Sequence, residues 1–379
     1  MTPINLEKAF PDTKSFLDSI HQDEQLIGQT DVLNADEWMK KVPAFNNDGN
    51  VAGLIDLLKG ALPSPETAAN YTYHEAAAAM RDLGILFGSI KRHGEEPETH
   101  LPQLADTMFE LSKILDLPPR DTLISYTSWN PQGNRLRTYT GTPDEMNLIY
   151  SVQMSMNPLV KAILLLDKLY HTSFEAPEFA PLCREVAEDF QAMVKGVVHA
   201  KRHVAPEVFA GSLRYYFDPI QLNEKTYLGP GAVEMPVFVF DHILWSTDCT
   251  NEEYLGFKQT YQPYVLPKMR QVYNAYNNKP SLLTRYSLFL ESCDDSNPVI
   301  KENIKAMQFL CTQLKSFRMP HKKMAENAYH KTPKAQRSKG SGGYAPTMLT
   351  HIINLNLRQI DKFNKASKKY TEKTALVVA

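Results

Sequence analysis

The sequence predicts an all-α fold, and three observations lead to that prediction. Apolar residues recur at helical spacing in one segment after another of the 379-residue chain. Capping residues and prolines stand where several of these segments begin or end. Only residues 237–240 resemble a strand, and the letters DHILW that come next could equally extend them as a helix. We therefore expect helices packed around a large apolar core.

The first clear amphipathic helix is predicted over residues 102–116. The spacing i, i+4, i+7 and i+11 is shared by Leu104, Met108, Leu111 and Leu115. Pro118 and Pro119 then end the helix, because proline cannot continue it. Stretches that contain proline, asparagine or glycine near 43–50 and 94–102 predict breaks earlier in the chain. We therefore expect a small N-terminal helical domain over residues 1–103 and a larger helical domain over residues 104–379.

A long apolar helix is predicted to begin in the larger domain at residue 143. Thr142 is a candidate N-cap, Pro143 suits the first helical turn, and Glu145 stands where a capping box needs its acidic residue. The apolar pattern runs on to about residue 169. Pro158 lies inside it and predicts a bend.

Three further long helices are predicted from rows of apolar residues. The rows are Val186, Phe190, Met193, Val194 and Val197; Ile304, Met307, Leu310, Leu314 and Phe317; and Leu349, Ile352, Ile353, Ile360 and Phe363. Residues 331–343, with the letters KTPKAQRSKGSGG, separate the last two rows. This segment is polar and basic, so we expect it to be a surface loop.

The composition is typical of a globular enzyme. Apolar residues make up 43% of the chain and charged residues 22%, with a formal net charge of −2. That charge argues against nucleic acid as a partner. No apolar run reaches the roughly 18–20 residues of a membrane span, and the N-terminus lacks the pattern of a secretion signal. The four cysteines form no CxxC pair. We expect a cytoplasmic protein without a membrane partner, and the sequence leaves its oligomeric state open.

His321 is the first candidate for a chemical role. It follows Phe317 by four residues and so continues the apolar stripe of its helix. Such a histidine is most often a core residue that hydrogen-bonds a neighbour. A histidine here also suits a haem iron ligand, and Arg318, one turn earlier, could reach a haem propionate. The alternative for Arg318 is a surface salt bridge.

Arg214 is the second candidate. It lies among aromatic residues in the segment with the letters VAPEVFAGSLRYYF, so its guanidinium must be paired or stacked. The carboxylate of a substrate is one possible partner. An internal carboxylate such as Glu234 is the other, and the sequence does not decide between them.

Four more residues could line a site. Ser341 and Gly342 lie in a glycine-rich run that could hold a carboxylate or an ammonium group, or could be a flexible linker. Ser151 lies in the middle of a helix, where a serine usually hydrogen-bonds a preceding carbonyl. Tyr329 lies two turns beyond His321 and either faces the site or caps its helix.

The order of these motifs resembles the haem-dependent indoleamine/tryptophan 2,3-dioxygenase superfamily. The motifs are LPP, a tryptophan, a long helix with Ser151, SLR within an aromatic run, FRMPH and GSGG, and the resemblance covers roughly residues 110–355. It implies a haem b cofactor with His321 as the proximal ligand of the iron and Arg318 on a propionate. The fold that it implies is an all-α haem-binding domain with a smaller N-terminal helical domain.

The same resemblance implies a tryptophan-like substrate and dioxygen as partners of the site. Phe209 would contact the indole ring and Arg214 the substrate carboxylate. Ser341 and the backbone at Gly342 would meet the ammonium end, with Ser151 in the distal pocket. Tyr329 is a further candidate for substrate binding.

Three departures from the dioxygenases favour a divergent branch of the superfamily. Phe209 is followed by Ala210 instead of a second phenylalanine, the loop before GSGG is short, and Tyr344 follows the glycines. Together with the segments LPPRDT, SYTSWNP and RTYTG, they resemble the branch typified by monodechloroaminopyrrolnitrin synthase of pyrrolnitrin biosynthesis. That resemblance implies rearrangement of an indole ring with loss of the carboxyl group, to an aminophenylpyrrole. The alternatives are dioxygenation of tryptophan to N-formylkynurenine and a haem-binding protein without turnover.

Overall fold

The chain is predominantly helical, which confirms the predicted all-α class. The computed structural model describes residues 13–293, 296–330 and 346–376, with side chains for all of them except 328–330, 346 and 374–376. The α-helices in this part of the chain are α1 (Thr13–Gln29), α2 (Ala35–Trp38), α3 (Val42–Asp48), α4 (Val51–Ala61), α5 (Pro65–Ala69), α6 (Tyr73–Arg92), α7 (Pro97–His100), α8 (Leu104–Leu115), α9 (Leu123–Tyr126), α10 (Pro143–His171), α11 (Phe179–His203), α12 (Pro206–Gly211), α13 (Val237–Asp241), α14 (Glu252–Tyr261), α15 (Pro267–Ala275), α16 (Leu282–Ser292), α17 (Pro298–His330) and α18 (Pro346–Leu376).

Shorter elements connect these helices. They are 3₁₀ turns at Met39–Lys41, Gly133–Arg135, Leu213–Phe217, Ala232–Glu234 and Gln262–Tyr264, a π-helical turn at His242–Ser246, and the strands β1 (Ile220–Leu222) and β2 (Lys225–Tyr227). β1 and β2 pair antiparallel, and both turn residues, Asn223 and Glu224, have positive φ angles. Such angles suit a two-residue hairpin turn. Strands of three residues are too short to give a readable alternation, so the sequence did not predict this hairpin.

The helix α13 corrects the expectation of a strand at residues 237–240. All five residues of α13 are buried, as are those of the π-helical turn that continues it. A fully buried run of apolar residues shows no period, so helix and strand cannot be told apart from the pattern alone. The helical alternative is the one that the chain adopts.

Three long helices form the part of the core that matters for the site. α10 packs along α11, and α11 also packs along α17. α18 covers α16 and α17. Gly196 on α11 lies at the crossing with α10, where an added Cβ would come within 2.6 Å of the carbonyl oxygen of Ser151. Glycine therefore allows the two helix backbones to approach closely.

The start of α10 agrees with the sequence in position but not in detail. Pro143 is its first residue, yet the Thr142 side chain makes no capping hydrogen bond. The buried carboxylate of Glu145 instead accepts the backbone N–H groups of Tyr139 and Thr140, each at 2.7 Å. Burial raises the pKa of Glu145. The acidic residue of the expected capping box therefore holds the preceding loop.

The N-terminal part of the chain is more continuous than the predicted breaks indicate. The stretch 43–50 is mostly helical, because it contains most of α3. Gly49 follows the last residue of that helix, and its φ of 65° suits a helix C-terminus. The stretch 94–102 contains the short helix α7. α6 is buried over most of its length and packs on α1, α4 and α8. A domain boundary at residue 103 stays a prediction.

Among the described residues, one helix is long and apolar enough to cross a membrane. It is α10, and 56% of its most apolar window is buried within the protein. Its packing against α11 is typical of a core helix.

Candidate functional site

Two adjoining cavities lie between α10, α11 and α17. The larger has a volume of about 920 Å³ and the smaller about 140 Å³. We call the larger the outer cavity and the smaller the inner chamber. Both are lined by Leu148, Val152, Ala200, Ala232, His321, Met324 and Leu349. The two spaces therefore meet at His321.

His321 combines features that suit a metal ligand. Its ring lies nearly parallel to that of Phe317, with centroids 5.5 Å apart, and its buried Nδ1 atom has no hydrogen-bond partner in the described part of the chain. Burial, and then the charge of Arg318, lowers the pKa of His321 to about 4. The imidazole is therefore neutral at pH 7, which is the form that binds metals. α17 continues through Pro320 without a break.

Arg318 lines the inner chamber and forms an ion pair with Asp241 of α13. The pair is buried and not on the surface, since the two side chains are only 8% and 4% exposed. Asp241 also accepts a hydrogen bond of 2.9 Å from the indole N–H of Trp245. This carboxylate therefore holds the guanidinium one turn before His321. The role of Arg318 on a haem propionate stays a prediction.

Phe209 and Arg214 both line the outer cavity, as does His321. Phe209 is on α12 and Arg214 in the 3₁₀ turn after it, where its side chain is buried. Glu234, the internal partner considered for Arg214, uses its carboxylate differently. It accepts the backbone N–H of Leu123 at 2.5 Å. The cavity thus brings an aromatic ring and a buried cation together with His321.

Ser151 lines the inner chamber. Its hydroxyl donates a 2.7 Å hydrogen bond to the carbonyl oxygen of Leu148, as expected of a serine inside a helix. The close approach of α11 at Gly196 holds this part of α10 in place. The hydroxyl hydrogen of Ser151 can rotate about the Cβ–Oγ bond, away from the carbonyl oxygen and towards a ligand.

Three of the predicted site residues cannot be located. Ser341 and Gly342 lie outside the described residues, and so does the side chain of Tyr329, although its backbone belongs to α17. Their roles in substrate binding stay predictions.

None of the sequence motifs includes Asp241, although the sequence carries a signal for it. A carboxylate within the apolar letters VFVFDHILW needs a cationic partner, because an unpaired buried charge is costly. Its neighbour His242 is structural. The His242 ring stacks on Tyr273 with centroids 3.7 Å apart, and its Nδ1 lies 3.2 Å from the buried ammonium of Lys258. Lys258 also binds the carbonyl oxygen of Ser246, at the end of the π-helical turn.

The residues present fit a haem group better than a metal ion held by protein alone. In residues 13–293, 296–330 and 346–376, no group of three or more His, Cys, Asp or Glu side chains converges. A porphyrin supplies four iron ligands itself and needs one imidazole from the protein. The orphaned Nδ1 of His321 and the mostly apolar outer cavity meet that need. A cavity of this volume is in the range of cofactor sites.

A comparison with known protein families assigns the chain. The model of the family described as monodechloroaminopyrrolnitrin synthase PrnB matches residues 23–376, which is nearly the whole chain. The chain therefore belongs to this family of oxidative enzymes, and the resemblance inferred from the sequence is confirmed.

Proposed function

We propose that this member of the monodechloroaminopyrrolnitrin synthase family is a haem-dependent enzyme that oxidises tryptophan or a chlorinated tryptophan. The observation that carries the proposal is the position of one neutral imidazole, His321, at the junction of two cavities. Phe209 and Arg214 face the same outer cavity. The imidazole could bind the iron of a porphyrin, while the aromatic ring and the cation could bind the side chain and the carboxylate of an aromatic amino acid.

The cofactor would be haem b, held through the imidazole of His321. When bound, it would supply an open coordination position at which dioxygen is activated. Phe317 stacks on the imidazole and restricts its rotation, so the ligand is held in one orientation before the cofactor arrives. The Arg318–Asp241 pair fixes the turn of α17 that precedes His321.

The substrate would be held by groups of opposite character. Phe209 offers its ring to the indole, and Arg214 offers a buried guanidinium to the carboxylate. Ser151 would donate its hydroxyl to a polar atom in the inner chamber. The ammonium end would fall to Tyr329, Ser341 and the backbone at Gly342, whose roles rest on the resemblance alone.

The reaction that we propose is rearrangement of the indole ring with loss of the carboxyl group. Forming an aminophenylpyrrole from tryptophan removes carbon dioxide and two hydrogen atoms, so an electron acceptor is required, and dioxygen can serve as one. The apolar walls of both cavities exclude water from the reacting ring. Orientation by Phe209 and Arg214 would decide which ring atom reacts, because rates depend steeply on alignment.

Two measurements test the proposal. The purified protein should bind hemin with the Soret band of a histidine ligand, and His321→Ala should lose that band while keeping its helical circular dichroism. Incubation with tryptophan or 7-chlorotryptophan under air should then give a product lighter by carbon dioxide and two hydrogen atoms. If the product is N-formylkynurenine, the reaction is dioxygenation and the proposed ring rearrangement is wrong. A haem complex that consumes no oxygen with either compound would reduce the function to haem binding.

A further inference from the structure

Lysine side chains surround the outer cavity on two adjacent helices. Lys201 of α11 and both Lys322 and Lys323 of α17 line this cavity, and the two on α17 directly follow His321. Lys201 and Lys323 are exposed, whereas Lys322 is half-buried. Long lysine stems can cover an apolar wall while the ammonium group stays in water. The mouth of the cavity is therefore cationic, and its interior is mostly apolar with Arg214 as a buried cation.

The lysines at this mouth carry more positive charge than the nearby carboxylate can balance. Glu326 lines the same cavity, and its carboxylate lies 3.6 Å from the ammonium of Lys322. That contact leaves the charges of Lys201 and Lys323 unbalanced among the described residues that line the mouth. Neither lysine has an ion pair within the described part of the chain. Two positive charges match the two propionate groups of a haem.

Arg318 is a poorer partner for a propionate than its sequence position indicates. Its guanidinium is buried against Asp241, whose own carboxylate already balances the charge. A second carboxylate there would leave an excess of negative charge in a region of low dielectric constant, which is unfavourable. Both side chains line the inner chamber, whereas carboxylates of a haem need solvent or exposed cations. The exposed lysines meet that need.

We propose that Lys201 and Lys323 bind the two propionates of haem at the mouth of the outer cavity, with Lys322 screening Glu326. The proposal rests on the proposed function, since it assumes that haem occupies this cavity. The pairing orients the porphyrin, because its apolar edge must then enter first and reach His321. Exposed ion pairs are weak and are screened by salt. Their effect should therefore be modest in affinity and clear in the salt dependence of binding.

The test compares hemin with its dimethyl ester, which lacks the propionate charges, on the apo-protein. For Lys201→Gln/Lys323→Gln we expect slower hemin association and a hemin Kd that is roughly three- to ten-fold higher at low salt. The difference should shrink as the salt concentration approaches 1 M. The ester should bind the variant and the unsubstituted protein equally.

A matched double variant serves as the control. Lys195 of α11 and Lys315 of α17 are exposed and lie on the same two helices, but neither lines a cavity described above. Lys195→Gln/Lys315→Gln changes the net charge by the same amount. It should keep the hemin association rate and its salt dependence.

Each other outcome has a distinct meaning. Unchanged hemin binding by Lys201→Gln/Lys323→Gln, with a normal histidine-type Soret band, would overturn the propionate assignment and leave the proposed function intact. An equal loss of affinity for hemin and for its ester would also overturn it, because the effect of the lysines would then not depend on the propionate charges. A higher Kd for tryptophan with unchanged hemin binding would assign them to the substrate carboxylate instead. If the unsubstituted protein binds no hemin, the proposed function itself fails.

Discussion

Arg318 and Asp241, 77 positions apart in the chain, form a buried ion pair in the wall of the chamber that His321 lines. The pair joins α17, which carries His321, to α13, which continues into the π-helical turn. A buried charge that loses its counter-charge is strongly destabilising, whereas replacing both charges by apolar groups often is not.

We therefore expect Asp241→Asn to lower the free energy of unfolding by about 3–5 kcal/mol. Urea denaturation of the apo-protein measures this directly. The double variant Arg318→Met/Asp241→Leu should lose much less, because no uncompensated charge remains. As a control, Asp361→Asn removes an exposed partner of Lys365 and should change the free energy of unfolding very little, because solvent screens exposed ion pairs. A loss of that small size for Asp241→Asn would show that the pair does not hold the two helices together.

Gly196→Ala should be destabilising, although alanine favours helices. The new methyl group would meet Ser155 and the carbonyl oxygen of Ser151, so α10 and α11 would have to separate. Overpacking of this kind costs about 1–3 kcal/mol. Gly60 lies in the last turn of α4 with nothing within 4 Å of an added Cβ, so Gly60→Ala should instead stabilise the protein, by at most about 1 kcal/mol. A melting temperature for Gly196→Ala at or above that of the unsubstituted protein would contradict the close crossing.

Arg214→Gln should raise the Kd for tryptophan by about 10–100-fold, the loss expected for one charge-assisted hydrogen bond. Haem content should stay the same, because Arg214 is not the iron ligand in this scheme. Tryptamine lacks the carboxylate, so it should bind the variant and the unsubstituted enzyme equally. Titrations followed in the Soret region give both constants. Equal weakening for tryptophan and tryptamine would point to a change in cavity shape and not to a lost carboxylate contact.

Protonation of His242 should contribute to a decrease in the unfolding free energy of the apo-protein as the pH is lowered. Burial, and then the charge of Lys258, lowers the pKa of His242 to about 3, against about 6.5 in the unfolded chain. Between these values the unfolded chain binds a proton that the folded protein does not. The unfolding free energy therefore decreases as pH falls below 6.5, by up to about 1.4 kcal/mol per pH unit from this residue.

The variant His242→Asn keeps an acceptor for Lys258 but cannot titrate in this range. Its unfolding free energy should therefore decrease less steeply between pH 6.5 and 4.5, while the two curves run parallel from pH 7 to 8. Denaturation at a series of pH values gives both slopes. Identical slopes below pH 6.5 would mean that His242 becomes protonated without unfolding.

The sequence predicted the long helices well, because their apolar residues recur with a clear period. α8 lies within the predicted 102–116, and α10 begins at the predicted Pro143. The motifs also predicted residues that do share a cavity, namely His321, Phe209 and Arg214. Their common position depends on the packing of α12 against α17, which no local pattern encodes. The partner of Arg318 was missed for the same reason, since Asp241 is far from it in the chain.

The π-helical turn at His242–Ser246 sets a constraint of a different kind. A π-helical turn holds more residues than a turn of the α-helix that it continues, and removing one residue would rotate the residues after the deletion by about 100°. Trp245 would then leave Asp241, and the ammonium of Lys258 would lose the carbonyl of Ser246. At this point the number of residues is as strictly determined as their identity, and an engineered deletion here should be tolerated far less well than a change of side chain.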